Sequence, residues 1–249
     1  MFRGSALPNR SLEASGGSVI LNTIGARGFS SNLFPSARML SRAAVEARRS
    51  AAPRYLMSFQ SIELVWPAAQ YLPGYNHALQ QGWSPDNLRP QAAVEELARI
   101  AENSTRFLSE QVDREAKGPP VILPDGSTVP RLPGYSRWMW DGEFCGTIGF
   151  RWQPGTMELP PYCLGHIGYS VVPWKRQRGY ATRALQLLLP QARTEGLAYV
   201  ELISDADNIA SQRVIEANGG ELIERFDKSA EHGAAESLRF RILLAKTPA

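Results

Sequence analysis

Cysteine is scarce in this chain, with only Cys145 and Cys163 among 249 residues. These two cysteines form neither a disulfide framework nor a cluster of metal ligands. No run of 18 or more apolar residues is present, so the sequence predicts no membrane-spanning helix. With 43% hydrophobic residues the chain can bury a sizeable core. We therefore expect a globular cytoplasmic protein with no metal and no membrane partner.

Acidic residues are scarce in one part of the chain, residues 1–56. This segment holds eight Arg and no Lys against Glu13 and Glu46, a balance of +6. The remainder holds 19 basic and 22 acidic residues, a balance of −3. A nucleic-acid-binding domain normally has a basic stripe on its folded surface. The charge distribution therefore argues against a nucleic-acid partner.

Residues 1–56 are rich in Ser and Arg and are interrupted by Gly and Pro. Such a composition buries too little apolar surface to offset chain entropy, so this leader is predicted to be disordered. Its Arg/Ser bias also resembles an organellar transit peptide. A third interpretation is that the start is wrongly assigned and that Met57 is the first residue. The predicted folded domain spans residues 57–249 under all three interpretations.

Strand and helix patterns alternate through this domain. Asp141-Gly142 lies between two β-rich runs, which is a strong hairpin signal. A smaller hairpin is predicted around Pro124-Asp125-Gly126. The tryptophans Trp138, Trp140 and Trp152 are expected to pack in the core or the hairpin, and a substrate cage is the alternative. The remaining strands are predicted near Ile62–Trp66, Gly165–Pro173, Leu197–Ser204, Glu221–Phe226 and Ser237–Leu244. The helices are predicted near Ala68–Gln81, Val94–Ala101 with a continuation through Val112, Gly179–Ala192 and Asn208–Asn218. The pattern predicts one α+β domain with a mixed sheet.

A basic segment lies where the strand near Gly165–Pro173 gives way to a helix. Its sequence is Lys175-Arg176-Gln177-Arg178-Gly179-Tyr180-Ala181-Thr182. Gly179 has no Cβ, so the backbone can turn sharply there and approach a ligand. The first N–H groups of the helix lack intrahelical partners and favour an anion. Spacing alone fits either a pyrophosphate site or a solvated turn.

The spacing Arg176-x-x-Gly179-x-Ala181 resembles the pyrophosphate loop of the GNAT N-acetyltransferases. A second segment supports the likeness, because Asn208-Ile209-Ala210-Ser211 followed by Asn218-Gly219-Gly220 is similar to the Asn-x-x-Ala/Ser segment and glycine turn of that family. The resemblance covers about 62–244. It implies a single GNAT-like domain with a splayed mixed sheet of about seven strands flanked by helices.

The resemblance also implies acetyl-CoA as the acyl donor, bound where two strands part. The implied cofactor-binding residues are Tyr169, Ser170 and Val171 for the pantetheine arm, Arg176, Gln177, Arg178, Gly179, Tyr180, Ala181 and Thr182 for the pyrophosphate, and Asn208. A backbone N–H near Val171–Val172 is expected to stabilise the oxyanion. The implied reaction is direct attack of an amine on the thioester.

The sequence departs from the family at the general acid. Many members have a Tyr seven residues after the Asn, and Ile215 occupies that position here. Two residues are candidates for the general base. His166 has an unperturbed pKa suited to the role, but it is also consistent with a structural hydrogen bond. Glu201 lies on the next predicted strand and is also consistent with an ion pair.

The sequence therefore predicts an acetyl-CoA-dependent N-acetyltransferase that acts on a primary amine. The alternative is a non-catalytic acyl-CoA-binding module, which the missing Tyr favours. The acceptor amine and the oligomeric state are left open by the sequence.

Overall fold

A computed structural model describes residues 62–87, 89–122, 126–228 and 236–244. The predicted leader, residues 1–56, and the turn at Pro124-Asp125 lie outside these ranges. Among the described residues no helix is long and apolar enough to cross a bilayer. The described residues all fall within one compact unit, Leu56–Ala249.

Ten strands are present in the described ranges, and seven of them have three or more residues, in agreement with the predicted number. Their bounds are β1 Glu63–Val65, β2 Val112–Asp113, β3 Val121–Ile122, β4 Thr128–Val129, β5 Gly134–Trp140, β6 Phe144–Arg151, β7 Ile167–Val171, β8 Tyr199–Asp205, β9 Gly220–Asp227 and β10 Glu236–Leu243. One sheet has the order β1-β5-β6-β7, with β2 also paired to β5, and a second has the order β8-β10-β9. The short strands β3 and β4 form the small predicted hairpin.

Four helices flank the sheets. They are α1 Leu72–Gln80, α2 Ala92–Ser109, α3 Tyr180–Thr194 and α4 Ile209–Glu216. Helix α2 is interrupted at Asn103, whose φ is −158°. The Asn103 side chain accepts the N–H of Arg106 at 2.9 Å and so caps the second half of α2. Helices and strands together confirm the predicted α+β class.

The domain has two hydrophobic clusters. The first joins α3 to the sheets through fully buried residues that include Ile148, Leu185 and Leu202. The second joins α1 and α2 to β5 and β6, and there Tyr75 stacks on Trp138 with ring centroids 4.5 Å apart. Trp138 and Trp152 are buried and Trp140 packs against the second cluster, which agrees with their predicted packing roles.

Strands β7 and β8 meet only where they begin. The N–H of His166, just before β7, donates to the carbonyl oxygen of Glu201 in β8 at 2.8 Å. Beyond this junction β7 pairs with β6 and β8 pairs with β10, and both of these ladders are antiparallel. The two strands run away from the junction in the same direction and line opposite sides of one cleft. The sheet is therefore splayed as expected.

Candidate active site

The cleft between β7 and β8 encloses a cavity of about 800 Å³. Its walls come from β7, β8, the segment that leads into α3, and the first turns of α3 and α4. All but one of the predicted cofactor-binding residues line it, namely Tyr169, Ser170, Val171, Arg176, Gln177, Gly179, Tyr180, Ala181, Thr182 and Asn208. Arg178 does not belong to the lining, although it lies on the same exposed loop.

One edge of β7 directs backbone polar groups into this cleft. Arg151 donates its N–H to the His166 carbonyl at 2.9 Å, and the N–H of Val172 donates to Cys145 at 3.0 Å. Because partners alternate along an antiparallel ladder, Tyr169 and Val171 turn their N–H and C=O groups away from β6. The sequence suggested a backbone N–H near Val171–Val172 as the oxyanion donor. Because the Val172 N–H already donates to Cys145, the Val171 N–H is the candidate.

Two side chains already bind the carbonyl groups on this edge. Asn87, in the loop between α1 and α2, donates its Nδ2 to the Tyr169 carbonyl at 3.2 Å. Arg176 donates its Nε to the Val171 carbonyl at 3.1 Å. Sequence reasoning missed Asn87, because nothing local to a loop residue indicates that it contacts a strand 82 positions away.

The loop before α3 has the conformation expected of an anion site. Gly179 is the N-cap of α3 with a φ of +76°, in the left-handed region that suits glycine. Gln177 also has a positive φ, of 60°. Arg176, Gln177, Arg178 and Gly179 are exposed, and the N–H groups of the first turn of α3 point to the same end of the cleft. This arrangement favours a phosphorylated ligand.

Two hydroxyl groups meet where β7 faces α4. The hydroxyls of Tyr169 and Ser211 lie 2.8 Å apart. Burial raises the pKa of Tyr169 to about 12, so its phenol is protonated at neutral pH. Ile215, at the position of the family Tyr, is completely buried in the core. Asn208 caps α4 by accepting the Ser211 N–H at 3.1 Å, a role that the sequence motif did not reveal.

The two candidate bases lie outside the lining of this cleft. His166 is 1% exposed, and its Nδ1 accepts the N–H of Glu201 at 3.0 Å. Burial lowers the pKa of His166, while the charge of Glu201 opposes that shift. The Glu201 carboxylate accepts from Arg239 at 3.1 Å and from Arg241 at 2.5 Å. His166 thus joins the two strands, and Glu201 is held in an ion-pair cluster.

That ion-pair cluster lines a second cavity, of about 540 Å³. This cavity lies between the segment around Pro160 and the strands β8, β9 and β10. Glu201, Glu224, Arg239 and Arg241 are in its wall. The structure therefore separates Glu201 from the predicted cofactor-binding residues.

The geometry agrees with comparisons to known proteins. Residues 125–221 match the family model described as the acetyltransferase (GNAT) domain. This match confirms, over residues 125–221, the resemblance to the GNAT acetyltransferases that was seen in the sequence. No curated protein matches the chain in sequence.

Three solved structures illustrate what the chain is similar to. RimL, a ribosomal L7/L12 α-N-protein acetyltransferase in complex with coenzyme A, is 14% identical with a TM-score of 0.50, covering 74% of this chain and 94% of its own. The Salmonella typhimurium acetyltransferase that modifies the N-terminal serine of L7/L12 is 15% identical with a TM-score of 0.48, covering 74% and 96%. The microcin C7 self-immunity acetyltransferase MccE is 12% identical with a TM-score of 0.47, covering 74% and 92%. At 14% identity, the likeness to RimL concerns the fold alone.

Proposed function

We propose that this protein is an acetyl-CoA-dependent N-acetyltransferase that acts on a primary amine. The observation that carries the proposal is the splayed cleft, which combines outward-facing backbone groups of β7 with an exposed anion-binding loop at the start of α3. A pantetheine arm carries amides that can pair with a strand edge, and a pyrophosphate suits a helix N-terminus. The coenzyme A in the RimL structure supports the same ligand class.

Each end of the cleft has a separate role in this proposal. Arg176 and the N–H groups after Gly179 bind the pyrophosphate, while Tyr169 and Val171 bind the amides of the pantetheine arm. Asn87 and Arg176 occupy the carbonyls of these two β7 residues, so binding exchanges those hydrogen bonds for bonds to the ligand. The exchange releases the side chains of Asn87 and Arg176 to contact the ligand.

The reaction is direct transfer. The neutral amine nitrogen forms a bond to the thioester carbon, the carbon–sulfur bond breaks, and the electron pair leaves with the thiolate. The nitrogen then loses one proton to water, which gives the neutral amide. The Val171 N–H stabilises the oxyanion that forms in between. The protonated phenol of Tyr169, bonded to Ser211, is a candidate to return a proton to the thiolate.

The acceptor of the amine proton is the remaining part of this proposed reaction. An alkylamine is mostly protonated at pH 7, so one proton must leave before or during attack. The burial of His166 and the ion pairs of Glu201 favour structural roles for both residues. Water in the cleft is then the proton acceptor.

The proposal predicts turnover with an amine panel. Purified protein is mixed with acetyl-CoA and either small alkylamines, amino sugars or peptides with free N-termini, and thiol release is recorded while mass spectrometry identifies the product. We expect thiol release to require an amine and to yield a product 42 Da heavier, the mass that one acetyl group adds in place of a hydrogen. The matched control replaces each amine with its acetylated form.

A non-catalytic acyl-CoA-binding module is the second candidate, because buried Ile215 replaces the family acid. Saturable acetyl-CoA binding without thiol release for any amine in the panel would favour that module over the enzyme.

A further inference from the structure

A buried cluster beneath the exposed loop centres on Asp141, in the turn of the β5–β6 hairpin. One carboxylate oxygen accepts from Lys175 Nζ at 2.7 Å, and the other accepts from the Tyr180 hydroxyl at 2.6 Å. The Asp141 side chain is 5% exposed and that of Lys175 is 7% exposed. A single carboxylate therefore binds two residues that lie 34 and 39 positions further along the chain.

The two partners of Asp141 lie on either side of the loop. Lys175 and Tyr180 are buried, whereas Arg176, Gln177, Arg178 and Gly179 between them are exposed. Two of these four residues have positive φ values, 60° at Gln177 and 76° at Gly179. A short segment with such backbone geometry keeps one conformation when its surroundings constrain both ends.

The hairpin turn itself is well constrained. The Asp141 N–H donates to the Glu143 carbonyl, and the Glu143 N–H donates back to the Asp141 carboxylate, both at 3.2 Å. Gly142 has a φ of +106°, which permits the tight turn. The carbonyl of Cys145, at the start of β6, also accepts the Val172 N–H at 3.0 Å. The hairpin is therefore a rigid support for the loop.

Electrostatics keep this cluster charged. Burial opposes ionisation of Asp141, but the hydrogen bonds from Lys175 and Tyr180 outweigh it and lower its pKa to about 2. Burial opposes the charge of Lys175, but its hydrogen bonds to Asp141 and Glu143 raise its pKa. Burial raises the pKa of the neighbouring Cys145 to about 12, so this thiol stays protonated and inert.

We propose that Asp141 is a positioning residue that holds both ends of the loop Arg176–Gly179 in the conformation that binds the pyrophosphate. Lys175 and Tyr180 line the cleft and Asp141 does not, so Asp141 acts through them. A loop ordered in advance binds its ligand without a further entropic cost. This inference rests on the proposed use of acetyl-CoA.

The test compares two ligands by calorimetry. Acetyl-CoA contacts the loop through its pyrophosphate, whereas S-acetylpantetheine lacks that group. In Asp141→Asn we expect the Kd of acetyl-CoA to rise about tenfold, since a charged acceptor of two buried hydrogen bonds is lost. The Kd of S-acetylpantetheine should stay within about twofold, because the edge of β7 is unchanged.

Glu143→Gln is the matched control. Glu143 is on the same hairpin and pairs with the same Lys175 at 3.0 Å, but its side chain is 80% exposed. An ion pair with an exposed partner contributes little to the stability of the loop conformation, so the Kd values of both ligands should match those of the wild type. This control distinguishes the effect of losing the buried Asp141 carboxylate from the effect of losing any negative charge on the hairpin.

Each outcome has a distinct meaning. An unchanged acetyl-CoA Kd in folded Asp141→Asn overturns the inference, and so does equal weakening of both ligands, which would indicate general loosening of the cleft. If Asp141→Asn does not fold, Tyr180→Phe decides in its place, because it removes one of the two contacts and should raise the acetyl-CoA Kd about threefold. Failure of the wild type to bind acetyl-CoA would reject the proposed function itself.

Discussion

Replacement of Gly179 by Asp is expected to lower acetyl-CoA affinity at least about 100-fold. The new carboxylate would repel the bound pyrophosphate, and solvent screens this repulsion only in part. Gly179 is the N-cap of α3 and has a φ of +76°. Its carbonyl accepts the N–H of Arg183 at 3.0 Å, so it already begins the helix. The new charge would lie at the helix end that otherwise attracts anions.

The variant should still fold. Asp is among the preferred N-cap residues, and Asp and Asn tolerate the left-handed region better than most side chains. Gly179→Asn is therefore a matched control, because it adds nearly the same volume without the charge. We expect Gly179→Asn to lose roughly tenfold or less in affinity.

Calorimetric titration with acetyl-CoA measures both variants, and thermal unfolding checks that each is folded. Wild-type affinity in a folded Gly179→Asp protein would show that the pyrophosphate binds elsewhere. Equal losses in the Asp and Asn variants would mean that volume, rather than charge, limits binding at this turn.

Replacement of His166 by Leu is expected to destabilise the protein by about 2–3 kcal/mol, because it leaves the buried Glu201 N–H without its acceptor. His166 Nδ1 accepts that N–H at 3.0 Å where β7 and β8 part. His166→Gln retains a side-chain oxygen that can accept the same bond, so its loss should be smaller. Urea unfolding measures the free energy of each variant.

The pH dependence of unfolding follows from the lowered pKa of His166. In the unfolded chain this histidine binds a proton near pH 6.5, whereas the buried native ring binds it only at a lower pH. Between these two pKa values the unfolded state holds more protons, so acid favours unfolding. The contribution of His166 is present above about pH 6.5 and is lost as the pH falls below it.

The wild type should therefore lose more free energy of unfolding than His166→Gln between pH 7.5 and pH 5.5. His77→Gln is the control, because it makes the same replacement at a histidine that is exposed on α1. In turnover, kcat of His166→Gln should stay within about threefold of the wild type. A fall of about 100-fold with a shifted acidic limb would instead identify His166 as the general base.

Local signals account for most of what the sequence predicted. Asp141-Gly142 lies in a hairpin turn, and Asn208 and Gly179 mark the starts of two helices. Each of these features is determined by neighbouring residues, since turn and cap preferences act over a few positions. The cleft lining was predicted through the resemblance of its motifs to those of a known family, and these motifs lie on elements adjacent in the chain.

Contacts between distant residues were not predictable. Asp141 indicated a turn, and nothing nearby indicates that its carboxylate binds Lys175 and Tyr180. Likewise, the sequence could not decide whether Glu201 was an ion-pair residue, because Arg239 and Arg241 are almost 40 positions away. Val94 fits the helical apolar spacing of α2 but is 70% exposed. Long-range packing determines whether such side chains are buried, and local periodicity does not indicate that packing.

Hydrogen–deuterium exchange with and without acetyl-CoA tests the central claim, that the cleft between β7 and β8 is the acyl-CoA site. The N–H groups of Tyr169 and Val171 face this cleft, and those of residues 177–182 lie on the loop and first turn of α3. We predict that saturating acetyl-CoA slows exchange in peptides covering 168–182 and leaves 158–164 and 221–226 unchanged. Protection of 158–164 and 221–226 alone, which border the second cavity, would contradict the account.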